Sequence, residues 1–341
     1  MRHWRVRAGP TAYAQLQAHG WDWNHFDVLL GASGGPKWLI LGALDQALCS
    51  WLRPEQPLHL LGSSSGAWRF TAYLQPEPVR ALQRLEEAYI EANWTPTQNL
   101  RQAGQQARQI LRAYLEDLEV TRHPWFRLHV VTSRVRGLVA SDWLPLQFVG
   151  LLHLAVLAGL GRRRWLGREL QRCLFSDPRT PLPTAFEDIA TQVCELHRDN
   201  LFLSLQASGS IPLLLPRHRS PAGWLRDGGL VDYHFDSLKL RPEGLVLLPH
   251  FVPELKLGWL ERFGPRRPSD PGVWDRMVLL APTQEWVQSL PGGKIPDRDD
   301  AGPLDEGQRI QRWKECARRG EELVEACQPG NLMDALELWQ A

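Results

Sequence analysis

Glycines at positions 62 and 66 bracket Ser64 in the run Gly62-Ser63-Ser64-Ser65-Gly66, and the apolar stretch Pro57-Leu58-His59-Leu60-Leu61 leads straight into it. A tight strand-to-helix turn of this composition projects the serine hydroxyl outward, and the N–H after the serine can join an oxyanion hole. An ordinary glycine turn capped by serines is built from the same residue types. Earlier in the chain stands Gly31-Ala32-Ser33-Gly34-Gly35-Pro36-Lys37. Gly34 and Gly35 have no side chain to obstruct a developing oxyanion, and a backbone donor so placed is worth roughly 10²–10³ in rate. Lys37 can add a positive charge to that hole or to a lipid phosphate. Later comes Asp227-Gly228-Gly229, close behind Trp224-Leu225. An aspartate on a glycine turn can approach a serine closely and take its proton. Hydroxyl nucleophiles need both a base and oxyanion donors, and these three runs supply a full set. Ser64 is then the nucleophile, Asp227 its base, and Gly34, Gly35 and Lys37 the oxyanion group. Gly62, Gly66, Gly228 and Gly229 shape the turns.

Nucleotide chemistry fits the same residues poorly. A phosphate-cradling loop needs G-x-x-x-x-G-K-[ST], but here Pro36 precedes Lys37 and Trp38 takes the hydroxyl position. The G-x-G-x-x-G dinucleotide pattern is missing as well. A histidine base in the order Ser, Asp, His would have to be His234 or His250. That arrangement usually sets several strands before its nucleophile, whereas only two are readable before Ser64. A serine–aspartate dyad fits better.

The elements that must position these groups alternate. Residues 26–31 and 57–62 read as strands, with a helical run from about Trp38 to Trp51 between them, a β-α-β unit with parallel strands. Both glycine turns then emerge at one carboxyl edge of the sheet. A mostly helical stretch follows at 77–118, a strand at 126–133, helix at 183–205, a hairpin around 210–232, strands at 244–248 and 277–281, and a charged helix at 306–327. The Pro/Gly/Asp-rich piece 291–305 reads as a surface loop. This pattern predicts an α/β sandwich with a mostly parallel sheet covered on both faces. We expect one domain over residues 1–341, with core motifs in 26–250, a helical insertion at about 77–205 and a C-terminal extension at 251–341.

The 341 residues are 43% hydrophobic and 23% charged, a composition that supports a folded core rather than disorder. Thirty-nine basic against 38 acidic side chains leave a net charge of +1, which argues against a dedicated nucleic-acid binder. Five cysteines without a C-x-x-C pair argue against a disulfide framework or a structural zinc site and suit a reducing compartment. Met1-Arg2-His3-Trp4-Arg5-Val6-Arg7 has no apolar stretch behind it, so no secretory signal is expected and the cytoplasm is the expected location. Residues 143–160 are the most hydrophobic in the chain and run into Arg162-Arg163-Arg164. A buried or pocket-lining helix, a lipid-facing surface and a membrane span are all compatible with that segment, although Gln147, His153 and Pro145 disfavour a span. The three arginines suit either a solvated helix end or an anionic membrane, making 143–164 a candidate for peripheral contact. Sixteen tryptophans fit core filling and membrane interfaces alike.

Taken together, these residues resemble the patatin-like phospholipase family. Ser33-Gly34-Gly35-Pro36-Lys37 is similar to its Gly-Gly-x-[Arg/Lys] oxyanion loop, Gly62-Ser63-Ser64-Ser65-Gly66 to its nucleophile elbow, and Asp227-Gly228-Gly229 to its base motif. Ala207-Ser208-Gly209-Ser210-Ile211-Pro212, followed by Pro216, looks like its Ala-Ser-x-x-x-Pro segment. All four occur in the family's order within residues 28–232. The resemblance implies a three-layer α/β sandwich and a Ser–Asp dyad without metal or other cofactor. It also implies hydrolysis of phospholipids or related acyl esters. Trp38 stands where the family usually has glycine, and Tyr233 and Phe235 stand where Asn and Pro commonly follow the base motif. A soluble esterase, thioesterase or acyltransferase using the same dyad is the nearest alternative, and a catalytically idle lipid-binding relative is another.

Overall fold

The computed structural model describes residues 3–52, 56–94, 99–116, 119–160, 163–185, 189–235, 239–255, 260 and 271–339. Its strands are β1 (Trp4–Ala8), β2 (Phe26–Gly31), β3 (Leu58–Ser63), β4 (Phe126–Val135), β5 (Leu170–Ser176), β6 (Thr184–Ala185) and β7 (Thr191–Glu195). These are followed by β8 (His218–Ser220), β9 (Gly223–Asp227), β10 (Lys239–Leu240), β11 (Leu245–Pro249), β12 (Met277–Pro282) and β13 (Leu336–Leu338). The helices are α1 (Pro10–His19), α2 (Gly42–Trp51), α3 (Ser65–Tyr73), α4 (Pro78–Glu91), α5 (Leu100–Tyr114) and α6 (Leu144–Gly159). The remainder are α7 (Arg163–Leu166), α8 (Arg198–Ser208), α9 (Pro271–Trp274), α10 (Gln284–Ser289), α11 (Glu306–Glu325) and α12 (Pro329–Asp334).

The main sheet runs β13-β1-β12-β11-β2-β3-β4-β5-β7. From β12 to β4 every neighbouring pair is parallel. These strands are near-continuous apolar runs: β3, β11 and β12 are buried at every position, as strands covered on both faces must be. Helices flank the sheet, giving the expected three-layer α/β sandwich. Pro36 opens a 3₁₀ segment, Gly35–Leu41, which runs directly into α2. The predicted parallel β2–β3 pair is present, with Gly31 opposite Gly62. The Gly66 carbonyl and Cα lie so close to Gly31 that a Cβ on either residue would clash with the other's backbone.

Several expectations change. Among the described residues of 183–205 the helix begins only at Arg198; β6 and β7 precede it, and Thr191, Val193 and Cys194 pair with β5. The stretch 77–205, expected as a helical insertion, therefore also supplies β4, β5 and β7 to the sheet. A third strand, β1, precedes Ser64 but lies antiparallel to β12, away from Ser64. Segment 251–341 contributes β12 and β13 and packs α11 against α2, so it completes the sandwich. All five cysteines are free, yet the fold sets Cys173 and Cys194 with their Sγ atoms 3.7 Å apart across β5 and β7. Among the described residues no helix is long and apolar enough to cross a membrane.

Two buried charge pairs lock α3 to α2 and the loop after Asp227 to the sheet. Arg69 grips Asp45 with two bonds of 2.6 and 2.7 Å, and Tyr73 adds a third donor to the same carboxylate. Arg172 on β5 holds Asp232 in the same way, at 2.5 and 2.8 Å. A histidine chain crosses neighbouring strands: His59 Nδ1 lies 2.8 Å from His129 Nε2, whose Nδ1 lies 2.7 Å from Ser176 Oγ. Burial disfavours their charged forms, holding His59 down at about 4 and His129 well below the ordinary 6.5. Because the folded values are depressed, this contribution to stability is intact above pH 6.5 and is lost as pH falls toward 4. The melting temperature should therefore fall on acidification from pH 7 to 5. In calorimetry, His59→Gln/His129→Gln should flatten that fall by roughly 5 °C.

Candidate active site

Ser64 follows the last residue of β3 and precedes α3, and its backbone sits at φ 54°, ψ −125°. A non-glycine residue in this region carries about 1–3 kcal/mol of strain and persists only where neighbours enforce it. The neighbour here is Ser208, whose Oγ accepts the Ser64 N–H at 2.8 Å while donating to the Val131 carbonyl at 2.7 Å. The turn itself requires glycines. A Cβ on Gly62 would lie 2.5 Å from Ala67 Cα, and one on Gly66 would lie 1.9 Å from the Gly31 carbonyl oxygen.

Asp227 ends β9. Its Oδ2 accepts the Ser64 hydroxyl at 2.8 Å, and its Oδ1 accepts the Gly229 N–H at 2.7 Å. The Asp227 N–H in turn donates to the Ser210 carbonyl at 3.0 Å. Gly228 has to be glycine, because a Cβ there would stand 2.3 Å from the Val131 carbonyl oxygen and 2.5 Å from Ser63 Oγ. Burial pushes the Asp227 carboxyl up to about 6, against the pull of the Ser64 and Gly229 hydrogen bonds and the Arg298 charge.

Gly34 and Gly35 open the 3₁₀ segment, so their N–H groups have no acceptor inside it. Both line one cavity of about 210 Å³ together with Ser64, Asp227 and Lys37. Gly35 takes φ 58°, a conformation that glycine adopts without cost. Ser33 donates its hydroxyl to Ser63 Oγ at 2.9 Å, tying the two glycine turns together. The Lys37 ammonium lies 5.6 Å above the ring centre of Phe251 while the residue lines the cavity. Trp38 turns away into the core, edge-on to Tyr89, so the missing glycine there leaves the cavity wall unchanged. Tyr233 lines the cavity and its carbonyl accepts the Ser33 N–H.

Every site residue named from the sequence thus converges on, or shapes, one cavity. Sequence reasoning missed Arg298. The loop 291–305 is a wall of the site rather than a bystander, since Asp297, Arg298 and Asp299 line the cavity. A Cβ on Gly35 would meet Arg298 Nη2 at 3.0 Å, so the guanidinium covers the oxyanion turn. The loop is held by buried Asp300, which takes Lys294 at 2.9 Å and the Trp313 indole N–H at 2.9 Å. Asp297 and Asp300, three residues apart, form a capping box that starts the 3₁₀ turn carrying Arg298. Ser208 was legible only as part of the family-like segment.

Among the described residues no histidine lines the cavity. His250 Nδ1 sits 2.7 Å from the Val252 carbonyl, and burial holds the ring down at about 3. Among the described residues, no group of three or more His, Cys, Asp or Glu side chains is placed to hold a metal ion. No family model matches the chain, and no curated protein matches it.

Two outcomes test this geometry. Gly228→Ala should cost about 1–3 kcal/mol of stability by forcing β9 away from Val131 and Ser63, readable as a lower denaturation midpoint. Asp227→Asn should act in the opposite sense. A buried carboxyl whose folded value is raised destabilises the protein progressively as pH rises above its ordinary value of 3.8, and in full once pH exceeds about 6. The asparagine variant should therefore be more stable than wild type at pH 8, by about 3 kcal/mol at most, with the gap closing below pH 6.

Proposed function

We propose that this protein is a serine acyl-hydrolase of the phospholipase A or lysophospholipase type, acting on ester bonds in lipids. The observation that carries the proposal is the 2.8 Å hydrogen bond from Ser64 Oγ to Asp227 Oδ2, made from a strained turn beside the Gly34-Gly35 N–H groups. Asp227 accepts the hydroxyl proton as Ser64 Oγ bonds to the acyl carbonyl carbon. Negative charge on the carbonyl oxygen is met by the Gly34 and Gly35 N–H groups, with Lys37 and Arg298 supplying positive charge nearby. Collapse breaks the ester C–O bond, and protonated Asp227 returns its proton to the departing alcohol. In the second half, Asp227 takes a proton from water, hydroxide attacks the acyl-serine, and Ser64 leaves with that proton as the fatty acid is released.

Cavity size bears on the substrate. About 210 Å³ is below the ~300–1,000 Å³ that encloses a drug-sized ligand. It accommodates the ester group and its immediate atoms, and the rest of a lipid must extend beyond the mouth. The wall is mixed, with Ile211, Pro212 and Leu230 for an acyl chain and Lys37 and Arg298 for an anionic head group. A soluble ester would occupy the same dyad, and the two readings separate on assay with monomeric aryl esters against lipid vesicles.

A fluorophosphonate probe should label wild type and should not label Ser64→Ala. Asp227→Asn should lose ester hydrolysis by about 10³-fold or more. Because the base acts only when ionised, kcat/KM should rise with pH through a midpoint near 6. Arg298→Gln, which removes a charge that favours the carboxylate, should move that midpoint upward. Retained labelling of Ser64→Ala would overturn the assignment.

A further inference from the structure

The outer side of α6 exposes an apolar surface that nothing in the chain covers among the described residues. Trp143, Phe148, Val149, Leu152, Val156 and Leu160 are each 51–63% exposed. Positions 148, 152, 156 and 160 recur every fourth residue, so they form one stripe about 18 Å long that ends on the C-cap residue of the helix. No residue of α6 carries Asp, Glu, Lys or Arg. A helix that is apolar all round belongs in a core or against lipid. The inner side of α6 satisfies the first condition, since Leu151, Leu154 and Ala158 join a small second core.

Charge selects the occupant. The exposed Arg136 and Arg168 flank the helix: the Arg136 N–H donates to the Glu169 carbonyl, and the Glu169 carboxylate lies 3.2 Å from His153 of α6. Asp142, the other acid beside the helix, is engaged by Arg226 at 2.7 Å and by Arg217. The sequence adds Arg162-Arg163-Arg164, whose side chains lie outside the described residues. An exposed tryptophan and arginines beside an apolar face are the anchors of an interfacial helix.

The helix is also joined to the cavity. Buried Gln147 donates to the Ser141 carbonyl at 2.6 Å and accepts the N–H of Leu213, which directly follows the cavity residues Ile211 and Pro212. Leu230 belongs both to the cavity wall and to the core beneath α6. We propose that the outer face of α6 docks in the plane of an anionic lipid bilayer and brings the mouth of the Ser64 cavity to the lipid. The docking stands on this surface alone, while its use in lipid hydrolysis rests on the reading of Ser64 and Asp227 given above.

The test is flotation of the full chain carrying Ser64→Ala, which consumes no lipid. The vesicles are pure phosphatidylcholine or phosphatidylcholine with about 30 mol % phosphatidylglycerol. The protein should bind the anionic vesicles at least about tenfold more tightly than the neutral ones. Leu152→Glu/Val156→Glu, at two exposed positions, should keep the native circular dichroism and lose at least about tenfold in binding. Arg136→Glu/Arg168→Glu should retain the apolar face and lose the preference for anionic lipid. No flotation, no preference for anionic vesicles, unchanged flotation of the Leu152/Val156 variant, or a solution dimer that this variant dissolves would each overturn the proposal. Failure of the hydrolase reading shows separately, as wild type that floats but is not labelled by fluorophosphonate.

Discussion

β3 and β9 meet head to head on a single edge of β4. β3 runs parallel to β4 and ends with Ser63 opposite Val131, while β9 runs antiparallel and ends with Asp227 opposite Thr132. Val131 and Thr132 are consecutive, so two chain segments more than 160 residues apart bring their carboxyl ends to adjacent rungs of one ladder. The Ser64–Asp227 contact follows from this register. A slip of one residue in either pairing would move its side chain by about 3.3 Å and turn it to the other face of the sheet. The rest of the site depends on this junction, because the strained Ser64 turn, the Asp227 turn and the Gly34-Gly35 turn all gather around it.

Closing the junction requires that side chains be kept out and that polar groups be satisfied. Gly228 passes against the Val131 carbonyl and Ser63 Oγ, where no Cβ fits. Val131 is the point of convergence, since its carbonyl also receives the Ser208 hydroxyl that holds the Ser64 N–H. Arg226, the residue before the base, is fully buried and satisfies four acceptors: the carbonyls of Val139, Leu215 and Ser141, and the Asp142 carboxylate. Five residues after the base, Asp232 is fastened to Arg172. The Asp227 turn is thereby clamped from both sides by fully buried arginines, one paired with the partly exposed Asp142 and the other with buried Asp232. Such pairs add little net stability against an apolar equivalent, but removing one partner is costly, so they serve here to fix position.

The parts of this arrangement that were legible in the sequence are those governed by local rules. Gly62-Ser63-Ser64-Ser65-Gly66, Gly34-Gly35 and Asp227-Gly228-Gly229 each announce a turn where a Cβ would be excluded, and an apolar run before the first announces a strand. Pairing across the sheet is not local. β7 reads Thr191-Gln192-Val193-Cys194-Glu195 at the edge of the sheet, with most of its side chains partly exposed or exposed, so it lacks the apolar signature of an inner strand. Its polar composition and helix-compatible flanks explain why 183–205 read as helix. β1 alternates arginine with apolar residues, a pattern masked by the charged beginning of the chain. Arg298 was invisible for a different reason: its loop carries no motif, and its place above Gly35 is set by Asp300 beneath Trp313 and beside Lys294.

That loop gives the C-terminal segment a part in the electrostatics of the dyad. A base buried between two turns gains proximity to the serine but pays in desolvation, which alone would favour a protonated, inert carboxyl at neutral pH. Three influences oppose this: the Ser64 hydroxyl, the Gly229 N–H and the Arg298 charge. The first two are built into the junction itself, so they are fixed once the strands pair. Arg298 is the adjustable one, because it sits on a partly exposed loop whose position depends on a separate buried carboxylate. The same guanidinium lines the cavity and stands against the Gly35 turn. On the acyl-hydrolase reading, one cation thereby both favours the ionised form of Asp227 and sets positive charge beside the Gly35 turn.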